Sequence, residues 1–304
     1  MKNFKPQIIL TGLILASFNL VGQDNDDGGS VIQNLTPSKL IGKGQVDLKL
    51  FNNLYTQTKS TFSEGEEPRQ SFFTSTFEFY TGIGQNKRVN LGFIARLRSN
   101  VIGTQDDNRD ALDVFKFSGD DQSRSGLTAF APSVKFVPFA SVSNFSIQSS
   151  LFIPLIDNET ENGVFLEQDG FVWQNRFFYD YTFPGNKWQL FTELTTEFNF
   201  GEDQVQDANF DTIEGSFANN SLNLVPGVFL SYFPSSKFTV LALAQHNQRL
   251  DLGNDFSQNF TALGGGAKYQ LTKELNVEVL YTNFVRGRDT GLGETFNLGL
   301  RAVF

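Results

Sequence analysis

Glu294-Thr-Phe-Asn-Leu-Gly-Leu-Arg-Ala-Val-Phe304 is the stretch whose reading decides the fold. Taken two residues at a time, it puts Phe296, Leu298, Leu300, Ala302 and Phe304 on one face. Thr295, Asn297, Gly299, Arg301 and Val303 fall on the other. Successive side chains of a β-strand point to opposite faces, so this is a strand with one unbroken apolar side. Such a strand suits a wall between lipid and water. It would equally suit a half-buried edge strand of a soluble sandwich, and the rest of the chain must discriminate.

The same alternation recurs upstream. Val46, Leu48 and Leu50 alternate with Asp47 and Lys49, and Phe73, Phe77, Phe79 and Ile83 lie opposite Thr74, Thr76 and Glu78. Val89, Leu91, Phe93, Ala95 and Leu97 lie opposite Asn90, Gly92, Arg96 and Arg98. Further segments fall near 127–137, 143–155, 171–183, 187–199, 221–233, 238–250, 259–270, 275–286 and 294–304. That predicts about twelve strands of about ten to thirteen residues, the length a tilted strand needs to cross a bilayer. The segments at 238–250 and 259–270 alternate poorly, and Gly264-Gly-Gly266 has no facial pattern. That glycine run lacks the Lys-Ser/Thr and helix of a phosphate loop, which leaves a bend or a close backbone approach. Pro132 and Pro226 fall inside strands and remove ladder donors, so each is expected to mark a bulge.

The connections are sorted. Short turns at 84–88, 138–142, 184–186, 234–237 and 271–274 alternate with longer polar links at 56–71, 102–126, 156–170, 200–220, 251–258 and 287–293. A meander with its short turns at one end and its long loops at the other predicts an all-β fold. It is a single antiparallel up-and-down transmembrane β-barrel of about 12 strands, with short periplasmic turns and long extracellular loops. An even strand count returns both ends of the barrel to the periplasmic side. The three longest loops carry sixteen carboxylates against Arg109, Lys116 and Arg124, whereas the turns hold Lys87, Arg88, Lys187, Lys237 and Lys273. Loop carboxylates of this kind are expected to be solvated.

Composition agrees. Phe contributes 34 of 304 residues, yet hydrophobic content is only 39%, and mean hydropathy is −0.23. Strands with one greasy face have that balance, and it hides no apolar helical span. The formal charge of −9 argues against nucleic acid as partner. With no Cys there is neither disulfide nor thiol chemistry, nor a lipobox. Residues 1–22 have the pattern of a signal peptide: Lys2 and Lys5, an apolar core from Ile8 to Phe18, and Val21-Gly22-Gln23. Residues 23–43 are expected to be a flexible periplasmic leader, and 44–304 the barrel.

Aromatics cluster on one face at 171–183 (Phe171, Trp173, Phe177, Tyr179, Tyr181, Phe183) and continue past the turn in Trp188, Phe198 and Phe200. Two aromatic belts separated by aliphatics are what membrane interfaces favour. The closing stretch, ending in Phe304, resembles the C-terminal assembly signal of Gram-negative outer-membrane β-barrels. The mature chain as a whole resembles that class. Its Phe- and Asn-rich style, with Leu35-Thr-Pro-Ser-Lys-Leu-Ile41 leading into Phe51-Asn-Asn-Leu-Tyr-Thr-Gln57, resembles uncharacterised barrels of the Bacteroidota. The resemblance implies a place in the outer membrane, contact with its lipid and lipopolysaccharide, and the barrel assembly machinery as a partner during biogenesis. It brings no catalytic motif and no cofactor.

Alternation points a set of charges inward: Glu78, Arg96, Arg98, Lys135, Arg176, Asp180, Glu193, Glu197, Glu278 and Arg301. Mixed signs of this kind usually neutralise one another in a narrow lumen. Hairpin geometry sets Arg96 diagonal to Glu78 and Arg176 opposite Glu193 or Thr195. The seam is expected to join Asp47 to Arg301, with Phe296, Leu298, Leu300 and Phe304 facing lipid. Bulky inward residues (Phe72, Tyr80, Phe152, Phe178, Phe191, Phe229) predict a narrow or partly occluded lumen.

Enzyme chemistry finds little support. His246, the only histidine, is expected in the lumen or at the rim, and Ser257 nearby lacks a nucleophile motif. One His without Cys makes a zinc site improbable. Glu193 and Glu197 would stand roughly 13 Å apart on a strand, too far for a glycosidase pair. Two functions remain: a narrow passive channel for small solutes, or a non-conducting accessory subunit that meets outer-membrane protein partners.

Overall fold

The structure is a computed structural model and describes residues 38–84, 86–201, 205–206, 212–213, 220–252 and 257–304. The expected signal peptide 1–22, residues 23–37 of the expected leader and the loop carboxylates Glu202, Asp203, Asp207, Asp211 and Glu214 lie outside the described residues. Twelve strands form the wall: β1 (Val46–Gln57), β2 (Gln70–Gly82), β3 (Val89–Ile102), β4 (Ser123–Phe136), β5 (Phe145–Pro154) and β6 (Val172–Thr182) come first. Then follow β7 (Trp188–Asn199), β8 (Ser221–Tyr232), β9 (Phe238–Asp251), β10 (Gln258–Gln270), β11 (Leu275–Arg288) and β12 (Glu294–Val303). Each pairs antiparallel with its chain neighbour, and β12 returns to pair with β1, so the barrel is closed. Closure leaves no sheet edge, which a wall immersed in lipid requires.

Register sets the faces. Leu50 pairs with Leu300, Leu54 with Phe296 and Leu48 with Ala302, all on the outer side. Trp173, Tyr181, Trp188, Phe200, Tyr269, Phe296, Leu298 and Phe304 are all exposed. A continuous exposed apolar jacket around a closed barrel is unfavourable in water and natural in a bilayer. The connections 83–88, 137–144, 183–187, 233–237 and 271–274 lie at one end, here the turn end. The strand ends that border 58–69, 103–122, 155–171, 200–220, 252–257 and 289–293 lie at the other, here the loop end. Lengths overlap between the ends, because β9 and β11 run further towards the loop end than alternation predicts.

The prolines behave differently from expectation. Neither causes a register shift. Instead β4 and β5 lose pairing between Phe130↔Ile153 and Ser133↔Ser150. Likewise β8 and β9 lose it between Leu224↔Gln248 and Gly227↔Gln245. Each proline lacks the N–H needed towards one neighbour, so one ladder opens while the register holds. The recorded irregularities lie elsewhere, between Arg96 and Leu97 and between Thr261 and Ala262. At Gly264 and Gly266 an added Cβ would sit 2.0 Å from the carbonyl oxygens of Tyr281 and Val279, so this run is a close approach of β10 to β11.

Two segments depart from expectation more substantially. Residues 38–43 are packed, not a free leader: Ser38, Leu40 and Ile41 are buried. Ser38 Oγ donates to Asp180, the Ile41 amide donates to Asn90 Oδ1 at 3.1 Å, and Asn90 Nδ2 donates to the Ile41 carbonyl at 2.9 Å. Asn90 and Asp180 face inward at the turn end, so this segment sits in that mouth of the lumen. At the loop end, a 3-10 helix at Ala111–Lys116 folds back onto the outside of the wall. Its Val114 is fully buried against Leu54, Phe73 and Val101.

Candidate functional site in the barrel lumen

The inward residues of β1–β12 alternate with the jacket, and they enclose a cavity of about 640 Å³. Every strand except β4 contributes to its lining. The inner face of β4 is small (Ala129, Ala131) and is filled by Ile94, Phe152 and Val172, which displaces the open space towards β8–β12. Tyr80 and Phe178 are also fully buried within the barrel. The remaining lumen is therefore narrow and off-axis.

One side of the cavity is charged. Glu78 lies 3.4 Å from Lys49, 3.5 Å from Lys135 and 3.7 Å from Arg176. Arg176 Nε also donates to Glu193 at 2.9 Å, and Lys135 sits 3.7 Å over the Tyr80 ring. At the seam Arg301 grips Asp47 with two bonds, Nε to Oδ1 at 2.9 Å and a terminal nitrogen to Oδ2 at 2.8 Å. Glu278 pairs with Lys268 at 2.5 Å. Glu197 accepts from Gln174 at 2.8 Å and Asn223 at 3.0 Å. Lys49 and Lys268 were not among the charges singled out from the sequence, although alternation places both inward.

Arg96 and Arg98 do not pair with Glu78. Thr76 stands opposite Arg96 in the register, which leaves Arg96 diagonal to Glu78 as expected, yet both arginines turn to Glu167, at 2.9 Å and 3.1 Å. Glu167 belongs to the loop 155–171, whose carboxylates were expected to be solvated; instead Leu166 and Glu167 are buried. Arg98 also donates to the Leu166 carbonyl at 3.1 Å, and Asn100 to that of Phe165 at 2.7 Å. The loop thus folds inward over β3. Burial pushes the Glu167 carboxyl up, but Arg98 and Arg96 more than offset this and hold it below the usual carboxylate range.

Next to the Lys268–Glu278 pair, β9–β11 also carry an apolar patch. Leu241 and Leu243 of β9, Ala262 of β10 and Leu280 of β11 form it together with Phe229. An aromatic run closes the loop-end third: Tyr55 lies 5.0 Å from Phe284 and Phe284 stacks on Phe260 at 4.1 Å. His246 is not in the lumen. It pairs with Thr261 on the outward face and bonds its hydroxyl at 2.9 Å. The seam residues Phe296, Leu298, Leu300 and Phe304 are all exposed on the jacket.

No protein-family profile matches the chain, and no curated protein matches it. Among solved structures, an outer membrane channel from Pseudomonas putida F1 matches with a TM-score of 0.64 at 10% identity, over 92% of this chain and 100% of that one. The β domain of the Bordetella autotransporter BrkA matches with 0.56 at 13% identity, over 86% and 99%. The fold is that of bacterial outer-membrane β-barrels. With its apolar jacket, this barrel belongs in the outer membrane. The two likenesses span a channel and an autotransporter domain, so the fold by itself does not choose a function.

Proposed function

We propose that the chain is a narrow passive transport channel for small solutes, with a mixed-charge lumen, held in a constricted state. One observation carries this reading: the cavity runs inside the wall from Arg301 and Asn276 near the turn end to Tyr55 and Phe260 near the loop end. A barrel serving only as a scaffold needs no such path. The match to the Pseudomonas outer membrane channel supports the same choice. On this reading the turn end is periplasmic, residues 38–43 act as a plug there, and the inward loop at Glu167 narrows the path at the other side. We further infer contact with lipopolysaccharide around the jacket, delivery by the barrel assembly machinery, no enzymatic activity, and kinship with Bacteroidota barrels.

The test is current through the purified full-length protein in planar bilayers. Small unitary conductance is expected, rising when Ser38–Lys43 is replaced by a Gly-Ser segment of equal length. Absence of current from both proteins would overturn the channel and favour an accessory subunit. A large conductance in the unaltered protein would overturn the constriction.

A further inference from the structure

We propose that the lumen cavity binds an amphipathic monocarboxylate, its carboxylate at Lys49 and its aromatic or alicyclic body against Leu241, Leu243 and Leu280. This names the substrate class of the channel and rests on the lumen being a solute path.

The cavity is two-sided. At about 640 Å³ it has the size of a small-molecule site. Leucines, Phe229 and the Phe260–Phe284 stack present hydrocarbon to a space that would otherwise hold water, an arrangement satisfied by an apolar solute body. A purely hydrophilic solute would leave this wall unused. A hydrocarbon without a polar group would instead face the charged wall and strip its hydration.

The charged wall selects the sign. Around Glu78 and the neighbouring Asp47 stand four cations: Lys49, Lys135 and Arg176 at Glu78, and Arg301 at Asp47. Among the described residues, the carboxylates that pair with them are Asp47, Glu78 and Glu193. Arg301 is held by both oxygens of Asp47, and Arg176 is held closely by Glu193. That leaves Glu78 shared at 3.4 Å and 3.5 Å between two ammonium groups, longer than close charge-assisted contacts of about 2.7–2.9 Å. Lys135 is covered by the Tyr80 ring, whereas Lys49 lines the cavity. One accessible, under-neutralised cation beside an apolar wall fits one carboxylate on a hydrocarbon body.

The test is calorimetric titration of the full-length protein in lipid nanodiscs with 4-phenylbutyrate, empty discs subtracted. Saturable binding is expected. Butyrate, which lacks the ring, and 4-phenylbutanamide, which lacks the charge, should each bind at least about tenfold more weakly. Lys49→Gln and Leu280→Asn should each cost about tenfold, from opposite ends of the ligand. Retained heat-modifiable gel migration shows that each variant is folded, and two independent variants guard against one failing to assemble. No saturable binding, equal binding of butyrate and phenylbutyrate, or an unaltered affinity in the folded Lys49→Gln protein would overturn the site. Phenylbutyrate binding without current would leave the site standing and remove the channel; current without binding would do the reverse.

Discussion

Asp47 and Arg301 close the barrel at the level of single residues. Their side chains are only 6% and 14% exposed, and each satisfies the other with two bonds. Removing one partner of so buried a pair strands a charge and costs roughly 3–5 kcal/mol. Arg301→Asp alone should therefore lower the folded, heat-modifiable fraction strongly. Combining it with Asp47→Arg should restore that fraction in part only, because an arginine at 47 would face Lys49 and Lys135, which now act on Asp47. No rescue in the double variant would count against the seam pairing. The seam contact is legible from sequence because both residues lie on strands whose faces alternate cleanly. The Arg96–Glu167 and Arg98–Glu167 contacts are not. Alternation tells which way a strand residue points, but it is silent about a loop carboxylate that folds back across the lumen.

Among the elements, the strands were the most legible, because a wall with lipid on one side and water on the other imposes period two on every span. β9 and β10 read poorly. Leucines fill the inner face of β9, and β10 carries glycines where its backbone approaches β11. The 3-10 helix at Ala111–Lys116 breaks the pattern differently. Its signal was local: Asp110 caps the Leu112 amide and Asp113 reaches back to the Asp110 amide, a capping box in Asp110-Ala-Leu-Asp113. Beneath it Val114 fills a pocket of Leu54, Phe73 and Val101, and Ser99 Oγ donates to the Val114 carbonyl at 2.6 Å. Val114→Asp would bury an unpaired carboxylate there and should detach the loop. Trypsin should then cut quickly at the exposed Lys116 while the barrel stays intact; unchanged cleavage would show that Val114 does not anchor the loop. The inward loop responds to pH instead. Glu167 is held below the usual carboxylate range in the folded state, so its contribution is complete above the ordinary carboxylate pKa of about 4.3. That contribution is lost only as pH falls through the lower folded value, so unitary conductance should stay flat from neutral to mildly acidic pH and change below it.

At the scale of the whole molecule, sidedness decides which mouth of the barrel residues 38–43 occupy and which connections must cross the membrane during assembly. The turn end gathers both ends of the barrel, the packed residues 38–43 and the lysine-bearing turns. The loop end carries the acidic connections 103–122 and 155–171 and the helix that folds over the jacket. On the proposed delivery from the periplasm, the loops pass through the membrane while the turns stay behind, so the turn end is expected to be periplasmic. The absence of cysteine makes this directly measurable. Gly119 lies in a loop-end connection with nothing within 4 Å of an added Cβ, and Ser236 is exposed in a turn. A membrane-impermeant maleimide should label Gly119→Cys in intact cells and Ser236→Cys only after the outer membrane is permeabilised. The reverse pattern would invert the molecule in the membrane and put residues 38–43 at the outer mouth, where a plug would face incoming solute directly.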